Sequence, residues 1–277
     1  MGLTFRVPRT VIDDAIEKLK SEGLVHPQAS FNSGAEDGLR REVAYRDRDL
    51  LRCIGNTGAD AEVVDAALDM LRSQGLVPNG AGYDKERFAR FRKKVKSSFK
   101  GSWTSITPSM ERLMYMLTAV RKPMRLIEFG CFWGNTLAWF AGPCIGEDKE
   151  HTAEAVYGVD IDEKMIELAR ENFAKLGGVE NVELITEDAR ATIDRLRGPF
   201  DFVYIEAKSD EEKGLYLTLL KKAYEKLAPG AWVIAHNASQ FTSTEIREYL
   251  EWVRDNRHFS ESIWFDIDSC GLELSVR

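Results

Sequence analysis

The chain has 277 residues, 44% hydrophobic and 10% aromatic, enough for one large or two modest domains around a buried core. Its formal net charge of -7 argues against a dedicated nucleic-acid binder, and no stretch reaches the length of a membrane span, so a small-molecule substrate in a cytoplasmic setting is expected. The N-terminal MGLTFRVPRT has no apolar signal core, and four scattered cysteines (Cys53, Cys131, Cys144, Cys270) without a C-x-x-C pair read as reduced thiols rather than disulfides or zinc ligands.

Residues 1 to about 100 have a helical organisation of their own. Ala15 to Val25 (AIEKLKSEGLV) and Ala67 to Val77 (ALDMLRSQGLV) are near copies that both stop at a glycine, and Thr10 with Asp13 supplies a start signal for the first. They read either as a duplicated module or as two helices sharing one ending grammar. Residues 26–38 and 52–58, rich in Gly, Asn, Ser and Pro, read as loops. Tyr83 to Lys100 predicts a basic helix with Phe88, Phe91, Val95 and Phe99 on one stripe. It is either an anion-binding face or a solvated face whose aromatic stripe enters the core.

Gly101 to Leu117 predicts a Ser/Thr-rich turn leading into an amphipathic helix. Arg125 to Phe140, RLIEFGCFWGNTLAWF, then runs from a short apolar strand through two glycines into a new helix. Gly130 removes the Cβ where a ligand approaches the backbone, and Gly134 tightens the turn before Asn135 and Thr136 begin the helix. A dinucleotide site is excluded, because Phe132 and Asn135 stand where its further glycines are required. AVYGVD ends in Asp160, and Val182 to Thr186 runs into Glu187, Asp188 and Ala189. Phe200 to Ala207 and Leu227 to Asn237 read as further strands. Helices are expected over Glu163 to Leu176, Asp210 to Leu227 and Ser243 to about Asn256, and Ser262 to Ile267 with Gly271 to Val276 predicts a terminal hairpin. This alternation is βαβ grammar.

The E-x-G-x-x-x-G at the end of a strand, the acids ending the next two, and the Pro-Gly strand near the C-terminus together resemble class I S-adenosylmethionine-dependent methyltransferases of the catechol and caffeoyl-CoA O-methyltransferase kind. The resemblance covers roughly residues 101–277. It implies a doubly wound, Rossmann-like α/β sheet of seven strands in order 3-2-1-4-5-7-6, binding S-adenosylmethionine; it says little about residues 1–100, whose own helical pattern predicts an all-helical cap. Cofactor contacts are implied for Glu128, Gly130, Phe132, Trp133, Gly134, Asn135 and Thr136. Asp160 falls where the ribose hydroxyls are bound, with Ile161 beside it; Asp188 and Ala189 fall on the adenine side. Glu206 is also implied. Trp103, Thr104 and Ser105 either touch the methionine carboxylate or simply cap and pack the following helix.

In metal-dependent members of the family, an Asp after the fourth strand and an Asp-Asn pair after the fifth hold a divalent cation. Here those positions read Glu206 and His236-Asn237, and the family's lysine is displaced to Lys208. Imidazole in place of carboxylate suits a hard cation poorly and favours a softer one, so no metal is assigned and a softer divalent ion near Glu206 and His236 is left open. Glu206, His236, Asn237 and Tyr204 are the catalytic candidates, His236 being either a general base or a hydrogen-bonded structural histidine. Tyr204, Phe132, Trp133 and Trp139 either offer aromatic faces to a sulfonium or pack the core. The expected function is methyl transfer to oxygen or nitrogen of a small molecule beneath the cap. Two alternatives remain: cyclisation of the cofactor's aminobutyl chain with release of methylthioadenosine, and cofactor binding without catalysis. No nucleic-acid or membrane partner is expected, and a homodimer is left open.

Overall fold

The computed structural model describes residues 2–23, 58–101, 106–207, 215–238, 244–268 and 270–277. Cys53, Trp103, Thr104, Ser105 and Lys208 lie outside them. Along the chain run β1 (Leu3–Arg6), α1 (Arg9–Ser21), α2 (Asp60–Ser73), α3 (Lys85–Ser98), α4 (Pro108–Arg121), β2 (Arg125–Phe129), α5 (Asn135–Ala141), β3 (Ala155–Asp160), α6 (Glu163–Ala174) and β4 (Val182–Thr186). There follow α7 (Ala189–Arg195), β5 (Phe200–Ile205), α8 (Leu215–Tyr224), β6 (Leu227–His236), α9 (Thr244–Val253), β7 (Glu261–Asp266) and β8 (Leu272–Val276). No helix of the described residues is long and apolar enough to cross a membrane.

The strands form one sheet in the order β1-β7-β8-β6-β5-β2-β3-β4, parallel except for β8, which runs antiparallel to both β6 and β7. Strands β2 to β8 reproduce the expected order 3-2-1-4-5-7-6. The sheet has eight strands rather than seven, because β1 adds a parallel edge to β7 with Phe5 opposite Phe265 and their rings 5.5 Å apart. The N-terminal part is therefore not purely helical. A four-residue strand shows only two alternations, Leu3 and Phe5 against Thr4 and Arg6, too few to stand out as a period.

Successive residues of the central strands enter opposite layers, as a pleat of period two requires. Leu126, Phe202, Tyr204 and Trp232 face a core with α1 to α6, whereas Ile127, Phe129, Val203 and Val233 face one with α7, α8 and α9. Both faces are covered, which is why these strands read as apolar runs.

Helix α4 departs from the expected amphipathic pattern. Thr107 caps it by accepting from Met110 N–H, and Pro108 opens it, as the sequence suggests. Yet Met110, Leu113, Met114, Tyr115, Met116 and Leu117 are all fully buried. The outer side that would have faced water is covered by α2 and α3, so α4 is buried on that side too, its Ser109, Glu111 and Thr118 included. The described residues among the first hundred thus share one core with the sheet. The repeated helices do end alike: Glu22 N–H bonds Lys18 O and Gln74 N–H bonds Met70 O, each at 3.0 Å. Pro229-Gly230 lies inside β6 instead of closing the preceding helix, which ends at Tyr224.

Candidate functional site

The sequence motif becomes a turn at the carboxyl end of β2. Gly130 and Cys131 N–H both donate to Val159 O at 2.8 and 3.1 Å, tying the turn to β3. Gly130 has φ +88°, Phe132 +49° and Gly134 +83°. A Cβ on Gly130 would lie 2.8–2.9 Å from Ala207 N and Cα and Glu206 C, so its glycine is required by a backbone crossing as well as by any ligand. On Gly134 it would come 2.9 Å from the Phe173 ring.

Asp160 binds this turn to the next helix. Its Oδ2 accepts from Phe132 N–H at 2.8 Å and its Oδ1 from Asp162 N–H at 3.0 Å. Each oxygen retains a second lone pair. On either side stand two exposed apolar residues, Phe132 at 44% and Ile161 at 73%. Isolated exposed apolar side chains are ordinary, but here they flank a pinned carboxylate. Behind the turn, Glu128 is fully buried; Thr136 donates its hydroxyl to one carboxyl oxygen, and the other has no hydrogen-bond partner among the described residues. Burial, with the Glu206 and Asp160 charges nearby, pushes this carboxyl well above its ordinary range.

Trp133 is 7% exposed with its indole N–H unpartnered among the described residues, and its backbone oxygen accepts from Asn172 Nδ2 at 3.1 Å. Asn135 and Thr136 open α5. Across the β3–β4 edge, Asp188 caps α7 by accepting from Arg190 N–H at 2.7 Å and pairs with the Arg190 guanidinium at 2.5 Å. That hydrogen-bonded guanidinium holds its carboxyl below the usual range. Ala189 is the first residue of α7.

A second group of side chains gathers at the ends of β5 and β6. His236, 3% exposed, lies between two carboxylates: Nδ1 is 3.1 Å from Glu206 Oε2 and Nε2 is 2.9 Å from Asp268 Oδ2. Glu206 also accepts from Asn237 Nδ2 at 2.6 Å and from Tyr204 OH at 3.3 Å. Tyr216 OH donates to His236 O at 3.0 Å. Burial alone would strip His236 of its proton, but the Glu206 and Asp268 charges and their hydrogen bonds prevail and raise its pKa well above the ordinary value. Both nitrogens of this buried ring are turned to carboxylates, an arrangement that favours the structural reading of His236 over the general-base one. Tyr204 is fully buried against Phe140, and burial pushes its phenol well up, so it positions Glu206 and is withheld from a substrate. Trp139 is likewise core, packed on Phe88 and Phe91.

Asp268 and Cys270 escaped sequence reasoning. Asp268 Oδ1 accepts from Cys270 N–H at 2.8 Å and Gly271 N–H at 2.7 Å, the signature of an Asx turn. The turn is legible in Asp-Ser-Cys-Gly; the reach of the other oxygen to a histidine 32 positions earlier is not. Ligand atoms of His236, Asp268 and Cys270 lie within 4.8 Å of one another. A divalent cation bound there would have to displace a proton from His236 and break one of its two carboxylate pairs, and the other oxygen of Asp268 already receives two N–H groups.

The basic helix resolves toward core and internal pairing. Phe88, Phe91 and Val95 are buried, and Arg87, 2% exposed, donates to Asp148 O, Gly142 O, Ile145 O and Tyr115 OH. A cavity of about 480 Å3 lined by Arg87, Arg90, Lys94 and Gly146 lies beyond the amino ends of β3 and β4, away from both groups above. Lys94 Nζ donates to Leu176 O, and Arg90 pairs with Asp148.

An open, largely parallel sheet in this order, with a glycine turn after β2 and an acid ending β3, is the class I methyltransferase fold. Residues 127–238 match the sequence profile of a family described as "Methyltransferase domain". Among curated proteins, the O-methyltransferase hkm8 of Aspergillus hancockii is 28% identical over 91 residues, 32% of this chain and 34% of its own length. The ribosomal protein L11 methyltransferase of Caldanaerobacter subterraneus is 27% identical over 169 residues, 55% of this chain and 48% of its own. The chain thus matches only about a third to a half of the length of these relatives. Two solved structures share the fold: the Bacillus cereus O-methyltransferase in complex with SAH, and Podospora anserina methyltransferase PaMTH1 bound to SAH. The first has TM-score 0.52 and 18% identity over 76% of this chain and 96% of its own; the second has 0.51 and 18% over 77% and 94%.

Proposed function

We propose that the protein binds S-adenosylmethionine in the β2–α5 turn and transfers its methyl group to a small molecule. The observation that carries this reading is Asp160, whose carboxylate is pinned by Phe132 N–H and Asp162 N–H at the carboxyl end of β3. Ligands of open α/β sheets lie beyond those ends. The remaining lone pairs of Asp160 take the ribose hydroxyls, Phe132 and Ile161 sandwich the adenosine, and Asp188 with Ala189 borders its amine. The backbone of Gly130 and Gly134, with Glu128, Trp133, Asn135 and Thr136 behind it, lines the methionine end. Trp103 and Thr104 are assigned to the same end by resemblance.

Glu206 and Asn237 then face the methyl group, with Tyr204 and His236 holding them. An acceptor O–H or N–H attacks the methyl carbon, the carbon–sulfur bond breaks, S-adenosylhomocysteine departs and the acceptor's proton passes to solvent. The acidic net charge supports a small acceptor over a nucleic acid.

A second reading rests on the same histidine. Both His236 nitrogens are engaged by carboxylates, so the ring is a poor base for an external acceptor, and the cofactor's own amine attacking its γ-carbon, with methylthioadenosine leaving, needs no second substrate. Mass spectrometry separates the two. Methyl transfer predicts a cofactor that persists when incubated alone with the protein and becomes S-adenosylhomocysteine with an acceptor. Methylthioadenosine from the cofactor alone establishes the second reading, and no binding at all refutes both.

A further inference from the structure

The part of the network that sequence reasoning missed, Asp268, has chemistry of its own. An imidazole nitrogen facing an ionised carboxylate must carry a hydrogen, since that partner only accepts. His236 meets such a partner at each nitrogen, Glu206 Oε2 at 3.1 Å and Asp268 Oδ2 at 2.9 Å. A neutral ring would need one of the two carboxyls to hold the proton instead. Asp268 is a poor holder, because its other oxygen already receives the Cys270 and Gly271 N–H groups at 2.8 and 2.7 Å. Glu206 is similarly biased by Asn237 Nδ2 at 2.6 Å and Tyr204 OH at 3.3 Å. Donors to a carboxylate favour its ionised form, so the proton belongs on the ring.

We propose that Asp268 is a positioning residue which keeps His236 doubly protonated, so that a fixed internal cation at the ends of β5 and β6 holds the Glu206 carboxylate in place. Among the described residues, the titratable groups around the ring are Glu206 and Tyr204 from the β5 side, Asp268 and Cys270 from the β7–β8 turn, and Tyr216 of α8 at the His236 carbonyl. His236 is 3% exposed while the Glu206 side chain is 21% exposed. The cation therefore acts through Glu206 and not on a substrate directly. Loss of Asp268 removes one of two charges holding the proton, and the ring falls to a neutral state that offers Glu206 at most an uncharged, weaker donor.

The effect on turnover rests on the methyltransferase reading; the protonation state does not. Long-range 1H–15N spectra of the full chain labelled in histidine report both nitrogens of each of its four histidines. In the wild type, one histidine is expected to stay doubly protonated to pH 8 while ordinary ones titrate near about 6.5. That signal should be missing in His236→Gln and should titrate at or below about 6.5 in Asp268→Asn. Four histidines all neutral by pH 8 in the wild type overturn the proposal, without recourse to any variant. Calorimetry and turnover form the second arm: Asp268→Asn is expected to bind S-adenosylmethionine as the wild type does while kcat falls at least about tenfold, the pattern of an interaction that matters in the transition state. Equal loss of cofactor affinity and kcat, or unchanged kcat, overturns the positioning role. A wild type that shows the persistent cation but ignores the cofactor sinks the functional reading and leaves the protonation state standing.

Discussion

Replacing Asp160 separates the cofactor reading from a purely structural account of the β2–α5 turn. In Asp160→Ala the acceptors of Phe132 N–H at 2.8 Å and Asp162 N–H at 3.0 Å disappear, and with them the proposed partner of two ribose hydroxyls. Hydrogen bonds to a charged group contribute about 1.5–3 kcal/mol each before solvent competition, and a partly open site realises only part of this. Cofactor binding should therefore weaken by about 1–3 kcal/mol, or roughly 5- to 150-fold in Kd. Asp160→Asn should also weaken it, because an amide presents N–H to one of the two backbone N–H groups now facing an acceptor. Isothermal calorimetry with S-adenosylmethionine and S-adenosylhomocysteine gives Kd, and urea melts of the same samples give the turn's contribution to stability. Stability lost with unchanged Kd would refute the ribose assignment and leave Asp160 a loop tether.

Gly130→Ala forces a side chain into φ +88° and within 2.8–2.9 Å of backbone at Ala207 and Glu206, so a loss of about 3 kcal/mol and a Tm drop of roughly 6–12 °C is expected; an unshifted melt would show that the crossing can relax. Phe88→Ala empties a fully buried site between Tyr115 and Trp139 and should cost about 3–5 kcal/mol in urea denaturation, whereas a loss below about 1 kcal/mol would mean α3 is not part of the core. A chain starting at Gly101 loses β1, α1, α2 and α3 from the core around α4 and should fail to unfold cooperatively; a sharp melt from that fragment would make residues 1–100 an independent cap. For pH, the raised His236 pKa contributes stability that is full below about 6.5 and is lost as pH rises through its folded value. The lowered Asp268 pKa contributes stability present above about 3.9 and lost as pH falls through its folded value. The urea-midpoint advantage of wild type over Asp268→Asn should thus peak between about pH 4 and 6.5, and an advantage that grows above pH 8 contradicts the pairing.

What was legible in the sequence was whatever depends on short-range grammar. Apolar runs ending in acids gave the strands and placed Asp160, and the glycine spacing excluded a dinucleotide, because turns and pleats are decided within a few residues. The order of seven strands came from resemblance. Two kinds of fact stayed hidden. One is coverage: α4 carries polar residues at Ser109, Glu111 and Thr118, and only the tertiary packing of α2 and α3 shows that these are buried, Glu111 paired with Lys96 and Arg92. The other is partnership at long range. His236 read equally well as base or structural residue until Asp268 stood on its far side, and no periodicity links those two positions.

The two halves of the site are mechanically one object. Glu206 N–H donates to Phe129 O at 2.9 Å, one residue before Gly130, and the missing Cβ of Gly130 is what lets the chain at Glu206–Ala207 lie against the turn. Asp160 holds the same turn from its other side through Phe132. The carboxylate proposed to face the acceptor is therefore fixed to the backbone proposed to cradle the cofactor, and on its remaining side to the His236–Asp268 pair. Methyl transfer demands a nucleophile in line with the methyl carbon, and small misplacements are costly. A cofactor turn and an acceptor carboxylate that share one backbone contact would keep that distance fixed, and this is why a single methyl group at Gly130 should disturb both ends of the site together.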